Sequence, residues 1–222
     1  MNPRKTSQWT FGLVGCLNAC QSTTSVEASI EATLNRMQHK DRTNAILAID
    51  PGALDQVHNL EGKDPNQPLY GQAVVIKDNI HVKGMATTAG SLALVNNIAA
   101  EDAPVVARLR SVGAIIVGKT NLSEWANFRS TSSSSGWSSV GGLTSNPFDP
   151  SCTACGSSSG SGAAVGSGLV EIALGTETDG SVTCPAAMCG IVGLKPTVGL
   201  LPSEGVVPIS SSQDTVGPMT ST

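Results

Sequence analysis

Residues 155–196 read CGSSSGSGAAVGSGLVEIALGTETDGSVTCPAAMCGIVGLKP, two turns rich in Ser and Gly on either side of an apolar segment. Ser157, Ser158 and Ser159 lie in the first turn and Ser181 in the second, with almost no bulky side chain around either. Glycine lets a backbone take up positive φ and pass close to a ligand without steric cost. Small residues around a hydroxyl leave room for a substrate and let amide N–H groups converge on it. A flexible Gly/Ser linker has a similar composition. It would lack the apolar run at 169–174 and the AAMCGIVGLKP segment that follows, which have the pattern of buried elements. The chain therefore has to pack backbone closely here, and chemistry is expected at these hydroxyls.

The rest of the composition narrows the class. A chain of 222 residues with 40% hydrophobic content has enough apolar surface for a substantial core. Aromatic residues make up only 3%, so that core rests on Ala, Val, Ile and Leu. Charged residues are 14%, the net charge is −4, and no Lys/Arg run is present, which excludes nucleic acid as the main partner. The first twenty residues have the pattern of an export signal. Arg4 and Lys5 are basic, residues 9–19 are apolar, and LNAC then ends at Cys20 before a polar QSTTS. This predicts a lipoprotein-type signal over residues 1–20, with Cys20 as the lipidated residue, a membrane anchor and an exported protein; LVGC, ending at Cys16, is a rival site. No later run approaches the roughly 18 apolar residues of a membrane-spanning helix. Cys152, Cys155, Cys184 and Cys189 are spaced too loosely for a zinc knuckle and have no nearby His. Buried thiols or a disulfide are expected there, with no metal and no cofactor.

Periodicity places the elements. Val26, Ile30, Leu34 and Met37 recur at helical spacing, and residues 21–70 as a whole are expected to form an N-terminal helical region of short helices and loops. Residues 73–76 make an apolar strand ending in Lys77-Asp78-Asn79. A helix is predicted over 104–112, with Pro104 in its first turn, followed by a buried strand over 114–117. Asn121 is expected to open another helix, with Glu124 as its capping-box partner. Residues 130–151 form a Ser/Gly/Asn/Pro loop long enough to suggest function. A helix over 163–167 and a strand over 172–174 complete an alternation that predicts an α/β fold with a largely parallel sheet.

Two motifs point elsewhere and fail on physical grounds. GAIIVGKT at 113–120 fits the phosphate-loop pattern GxxxxGK[ST], but that loop must wrap around phosphate. Here Ala, Ile, Ile and Val fill it and read as the strand itself, with Lys119 expected in the turn that follows; a nucleotide-binding module is the weakest of the readings. GSSSG at 156–160 fits the hydrolase elbow GxSxG, which requires a later His. His39, His58 and His81 all precede it. A serine nucleophile without histidine needs another base, and Ser–Lys chemistry supplies one.

From about residue 28 onward the chain resembles the amidase signature family. VIKDNI at 75–80, MATTAGS at 85–91, GKTNLSEWANFRSTSS at 118–133, CGSSSGS at 155–161, GTETDGS at 175–181 and GLKPTVGL at 193–200 carry the resemblance. ATTAGSLAL, NLSEWANFRS, GTETDGS and SQDTVGPM are most similar to its bacterial peptide amidase branch. The resemblance implies an amidase-signature fold, a mixed and largely parallel sheet sandwiched between helices, with 71–222 as its core. It implies hydrolysis of a carboxamide to carboxylate and ammonia, on a small-molecule or peptide amide substrate. Ser181 then matches the nucleophile, Ser157 the bridging serine after a non-proline cis peptide bond, and Lys77 the base. The amides of Thr178, Asp179, Gly180 and Ser181 match an oxyanion hole, and Thr131 a substrate-binding position. Asp179 stands where the commoner pattern has glycine. Thr183 falls near a position where many members carry an Arg that holds acidic substrates, so a free carboxylate is not the expected substrate group. Members are roughly twice as long, which predicts a C-terminally truncated core and leaves a non-catalytic homologue as the second functional reading. Lys77, at the end of an apolar strand, is open to desolvation, which favours its neutral form; Asp78 is expected to point away from it.

Overall fold

The computed structural model describes residues 23–222; the expected signal segment, with Cys16 and Cys20, lies outside them. Helix α1 (Thr23–Lys40) buries Val26, Ile30 and Met37, as their spacing requires, with Leu34 packed against the same core. Strand β1 (Ile46–Ile49) and helix α2 (Ala53–His58) follow. Strand β1 corrects the expectation of only helices and loops before residue 70. Its four-residue apolar run is hidden among Asn, Asp, Pro and Gly, and it is set in place by antiparallel pairing with a strand far along the chain.

Strands β2 (Ala73–Lys77) and β3 (Ile115–Thr120) lie side by side in parallel, joined through helix α3 (Pro104–Ser111). Pro104 occupies the first turn of α3, where no backbone donor is lost. Strand β6 (Ile172–Glu177) pairs in parallel with the other edge of β2. Strand β8 (Thr215–Thr220) then runs antiparallel beside β6, and the two-residue β7 (Val192–Gly193) closes the order β1-β3-β2-β6-β8-β7. The sheet is mixed, and its parallel part is the central β3-β2-β6 trio; the outer pairings are antiparallel, so a largely parallel sheet describes the centre and not the edges. Strands β4 (Trp137–Ser138) and β5 (Gly142–Leu143) form a small separate hairpin within the expected 130–151 loop.

Helices α1 and α2, with α4 (Ser159–Gly166) and α5 (Thr183–Met188), cover one sheet face, where Val75, Ile115, Val117 and Ala173 point. Helix α3 covers the other, over Val74, Ile76, Ile116 and Leu174. Alternate residues of a strand serve opposite faces, so each central strand needs apolar side chains on both. That is why they read as continuous hydrophobic runs.

Two further expectations change. Strand β3 continues through Gly118, Lys119 and Thr120, all buried, so Lys119 is a strand residue and not part of a turn. No long helix opens at Asn121. Trp125, Ala126 and Asn127 take positive φ values of 52°, 53° and 69°, and the Asn121 amide instead ties down the hairpin. Its Oδ1 accepts from the Leu122 amide and Ser138 Oγ, and its Nδ2 donates to the Gly142 carbonyl and Thr144 Oγ1. Glu124 likewise accepts from the Ser139 amide. Long-range partners outcompete the local cap.

Helix α4 contains no side chain larger than Val and is buried almost throughout. A Cβ on Gly160 would lie 2.5 Å from the Ala45 carbonyl oxygen and from both the N and O of Asn121. Backbone against backbone leaves no room. One of its buried hydroxyls is satisfied at the same short range: Ser161 Oγ donates to the Leu174 carbonyl and lies 2.8 Å from Thr120 Oγ1. Alanine exceeds glycine in helix propensity by about 1 kcal/mol, yet Gly160→Ala is expected to lower the unfolding free energy, because overpacking typically costs about 1–3 kcal/mol. Urea unfolding measures this, and an unchanged or raised midpoint would show that the contact gives way.

Candidate active site

The turn between Cys155 and α4 carries Ser157, which follows a cis peptide bond from Gly156. A Cβ on Gly156 would meet Ser123 Oγ at 2.2 Å, so glycine is needed where this turn passes the 121–123 segment. Lys77, the last residue of β2, is fully buried and reaches across to the turn, its Nζ 2.7 Å from Ser157 Oγ. The same Nζ donates to the Thr176 carbonyl at 3.2 Å and to Thr176 Oγ1 at 2.8 Å. Thr176 Oγ1 also accepts from Asn79 Nδ2 at 3.0 Å. Next to it, Ser158 Oγ donates to the Thr176 carbonyl at 3.1 Å. Thr176, one position before the end of β6, thus joins the ends of two strands and the serine turn.

Strand alternation settles which lysine receives a counter-charge. Ile76 lies opposite Lys119 and Lys77 opposite Thr120 in the β2–β3 register. Lys77 and Thr120 share the α4 face, while Lys119 projects from the other face with Asp78. Lys119 Nζ is 2.7 Å from Asp78 Oδ1, a buried ion pair, and also donates to the Ala86 carbonyl. Asp78 Oδ2 accepts from the amide and the hydroxyl of Thr88. Its carboxylate therefore faces Lys119 and Thr88, as the expectation that it points away from Lys77 requires. Burial lowers the pKa of Lys119, with Asp78 opposing the shift.

Lys77 has hydroxyl and carbonyl neighbours instead. Burial brings its pKa from 10.5 down to about 7, and the nearby charges of Glu177 and Asp214 only partly counter this. Both carboxylates are engaged elsewhere. Glu177 Oε2 accepts from the Val182 and Thr183 amides at 2.8 Å, and Lys195 Nζ lies 3.7 Å from Oε1. Burial would raise the Glu177 pKa, but the amides of Thr183, Val182 and Gly180 hold it below the ordinary value. Asp214 accepts from Thr178 Oγ1 and from the Ile209 and Ser210 amides.

Ser181 lies in the turn after β6, and its carbonyl accepts from the Ser158 amide at 3.1 Å, which brings the two serine turns together. A disulfide between Cys155 and Cys184 ties them a second time. Cys152 is an exposed free thiol and Cys189 a buried one, whose pKa burial raises to about 11. The covalent pair thus joins a cysteine of the 152/155 pair to one of the 184/189 pair. Among the described residues no group of three or more His, Cys, Asp or Glu is arranged to hold a metal ion. Ser181 is 8% exposed, whereas Ser157, Ser158 and Ser159 are at 0%, so Ser181 is the residue of the four with some surface. Of the expected oxyanion donors, the Gly180 amide is drawn to Glu177. Thr131 is exposed on the turn beyond Arg129 and does not join this cluster.

A cavity of about 260 Å³ opens beside the cluster. Trp125, Ala126, Phe128, Val207, Pro208 and Ile209 give it apolar walls, Arg129 stands beside them, and Asn79 connects it to Thr176. Lys77 and the serines do not line it. The reading from sequence had missed Asn79, Thr176, Glu177 and Asp214. Asn79 and Thr176 stand inside quoted motifs, but only the meeting of two parallel strand ends shows that they touch.

The Amidase family model matches residues 28–222. A probable amidase of Arabidopsis thaliana is 45% identical over 203 residues, spanning 87% of this chain and 39% of that protein. Mandelamide hydrolase of Pseudomonas putida is 44% identical over 196 residues, covering 86% and 38% of the two. Among solved structures, the peptide amidase of Stenotrophomonas maltophilia superposes with a TM-score of 0.84 at 48% identity, over 88% of this chain and 42% of that one. The chain spans about two fifths of the length of these relatives. A family match over most of the chain, together with a shared fold at this identity, makes it a member of the amidase family.

Proposed function

We propose that this protein hydrolyses a carboxamide to a carboxylate and ammonia through an acyl-enzyme on Ser181, with Ser157 as proton relay and Lys77 as base. The observation that carries the reading is the surroundings of Lys77. A neutral amine has two N–H donors and one lone pair. Thr176 offers its carbonyl and its hydroxyl oxygen to the donors, which leaves the lone pair for the proton of Ser157, 2.7 Å away. A protonated lysine would have no lone pair to give.

As Ser181 Oγ attacks the carbonyl carbon, its proton passes to Ser157 and the Ser157 proton to Lys77. Amides of the 178–181 turn other than that of Gly180, which is engaged by Glu177, stabilise the developing oxyanion. The C–N bond then breaks, and the proton returns through Ser157 to the leaving nitrogen, releasing ammonia. Water attacks the acyl-enzyme along the same relay and restores Ser181. The peptide amidase and mandelamide hydrolase relatives support the reaction class, and C-terminal peptide amides are the first substrate choice.

A fluorophosphonate is expected to label Ser181, with the label lost in Ser181→Ala; labelling that survives this change would overturn the assignment. Because the base works only when neutral, acylation is expected to rise with pH through about 7 and then level off. Lys77→Met is expected to lower acylation by at least about 10²-fold, the low end for a positioned proton acceptor.

The same lysine should make stability depend on pH. Its folded pKa of about 7 lies below the unfolded value. Between about pH 7 and 10.4 the unfolded chain therefore holds a proton that the folded one does not. Stability falls as pH drops through this window, by at most about 1.4 kcal/mol per unit. From pH 7 to 9 the wild type should gain about 2 kcal/mol relative to Lys77→Met, measured by denaturant unfolding at each pH. A constant difference would show that Lys77 is charged in the folded state.

A further inference from the structure

Asn79 is 3% exposed, and its side-chain oxygen Oδ1 is buried with no hydrogen-bond partner among the described residues. Leaving a buried carbonyl unpaired is unfavourable, and such groups in native proteins call for a reason. Its orientation is held from the other end, where Nδ2 donates to Thr176 Oγ1, itself 2.8 Å from Lys77 Nζ. Asn79 also lines both the apolar cavity and the narrow cleft that runs past Thr176, Glu177 and Thr178. Asn79, the residue that carries this unsatisfied acceptor, therefore stands where that cavity meets the serine–lysine cluster.

The size of the cavity indicates which part of a substrate it receives. The leaving group of a carboxamide is ammonia, which cannot fill about 260 Å³. The acyl part must occupy it, with an apolar group against Trp125, Phe128, Val207 and Ile209. A plain aliphatic or aryl acyl group offers Asn79 nothing to bond. An acyl group built from an α-amino acid offers one donor close to the scissile carbonyl, the N–H on its α-carbon. We propose that Asn79 Oδ1 accepts this N–H, making Asn79 the residue that selects acyl groups bearing an α-N–H over isosteres that lack it. The proposal rests on the amide-hydrolysis reading and adds a specificity determinant to it. Asn79 acts on the choice of substrate, while Ser181, Ser157 and Lys77 act on bond cleavage.

Three amides with one apolar side chain test this: N-acetylphenylalanine amide, its α-N-methyl derivative, and 3-phenylpropanamide. For the wild type, kcat/KM should favour the first over both others by at least about tenfold, the scale of one buried acceptor left unpaired. In Asn79→Ala the preference should shrink to less than about threefold, since the N–H-bearing amide loses the interaction and the others have none to lose. Asn79→Leu, close in volume and without an acceptor, carries the same comparison if the alanine variant does not fold. A wild-type preference below about threefold would overturn the assignment without any variant. So would variants that slow all three amides equally, because Asn79 would then serve only to hold Thr176. Turnover without discrimination defeats this inference alone, whereas no turnover together with no fluorophosphonate label on Ser181 defeats the hydrolase reading as well.

Discussion

A lysine amine at the buried end of β2 has, among the described residues, only hydroxyl and carbonyl oxygens within hydrogen-bonding distance, and the arrangement of the site follows from that. Burying an unpaired ammonium is so unfavourable that the group gives up its proton instead. The sheet provides this condition by alternation. Asp78, next to Lys77 in sequence, projects from the opposite face and meets Lys119 there. Neighbouring residues of a strand project to opposite faces, so Asp78 does not share the face of Lys77. The Asp78–Lys119 ion pair thus holds that carboxylate on the face away from Lys77. Removing either partner would leave the other charge buried alone, a change that typically costs about 3–5 kcal/mol.

The second requirement is proximity. Ser157 reaches Lys77 only because α4 begins almost in contact with the backbone at Ala45 and Asn121, and glycine at 160 makes that approach possible. Thr176 then receives donors from β2 at Lys77 and Asn79 and a donor from the serine turn at Ser158. The Ser158–Ser181 backbone bond and the Cys155–Cys184 disulfide hold the second serine turn against the first. Groups drawn from residues 77, 157, 176 and 181 are therefore positioned by rigid elements, which hold a site more precisely than loops do. The cavity wall is made differently. Trp125, Ala126 and Asn127 lie in left-handed conformations, unusual for side-chain-bearing residues and common near ligand sites.

Elements whose signal is local were legible. Val26, Ile30 and Met37 specify a helix face by spacing, Pro104 marks a helix start, and the apolar runs at 73–76 and 114–117 specify central strands. Elements that depend on distant partners were not. Ile46–Ile49 is too short to identify itself as a strand without β3 beside it. Asn121 and Glu124 form a plausible cap in sequence, but their side chains bond to Ser138, Thr144 and Ser139, whose positions no local rule reveals. Lys119 read as a turn residue because glycine precedes it, yet pairing on both sides of β3 carries the strand onward to Thr120.

The sequence alone determined the family, the α/β class, and which residue types the chemistry has at hand: small hydroxyls in two glycine-rich turns and a lysine ending an apolar run. These depend on composition and on spacing within a few residues. The tertiary structure alone decided that Lys77 is buried with its nearest acidic charges, Glu177 and Asp214, engaged elsewhere while Lys119 is paired directly with Asp78, that Thr176 and Asn79 stand between the lysine and the cavity, and that Cys155 pairs with Cys184 and not with a neighbour. Desolvation, register and pairing are set by atoms distant in the chain. A pKa near 7 or an unpaired buried carbonyl exists only once those atoms have excluded water from around it.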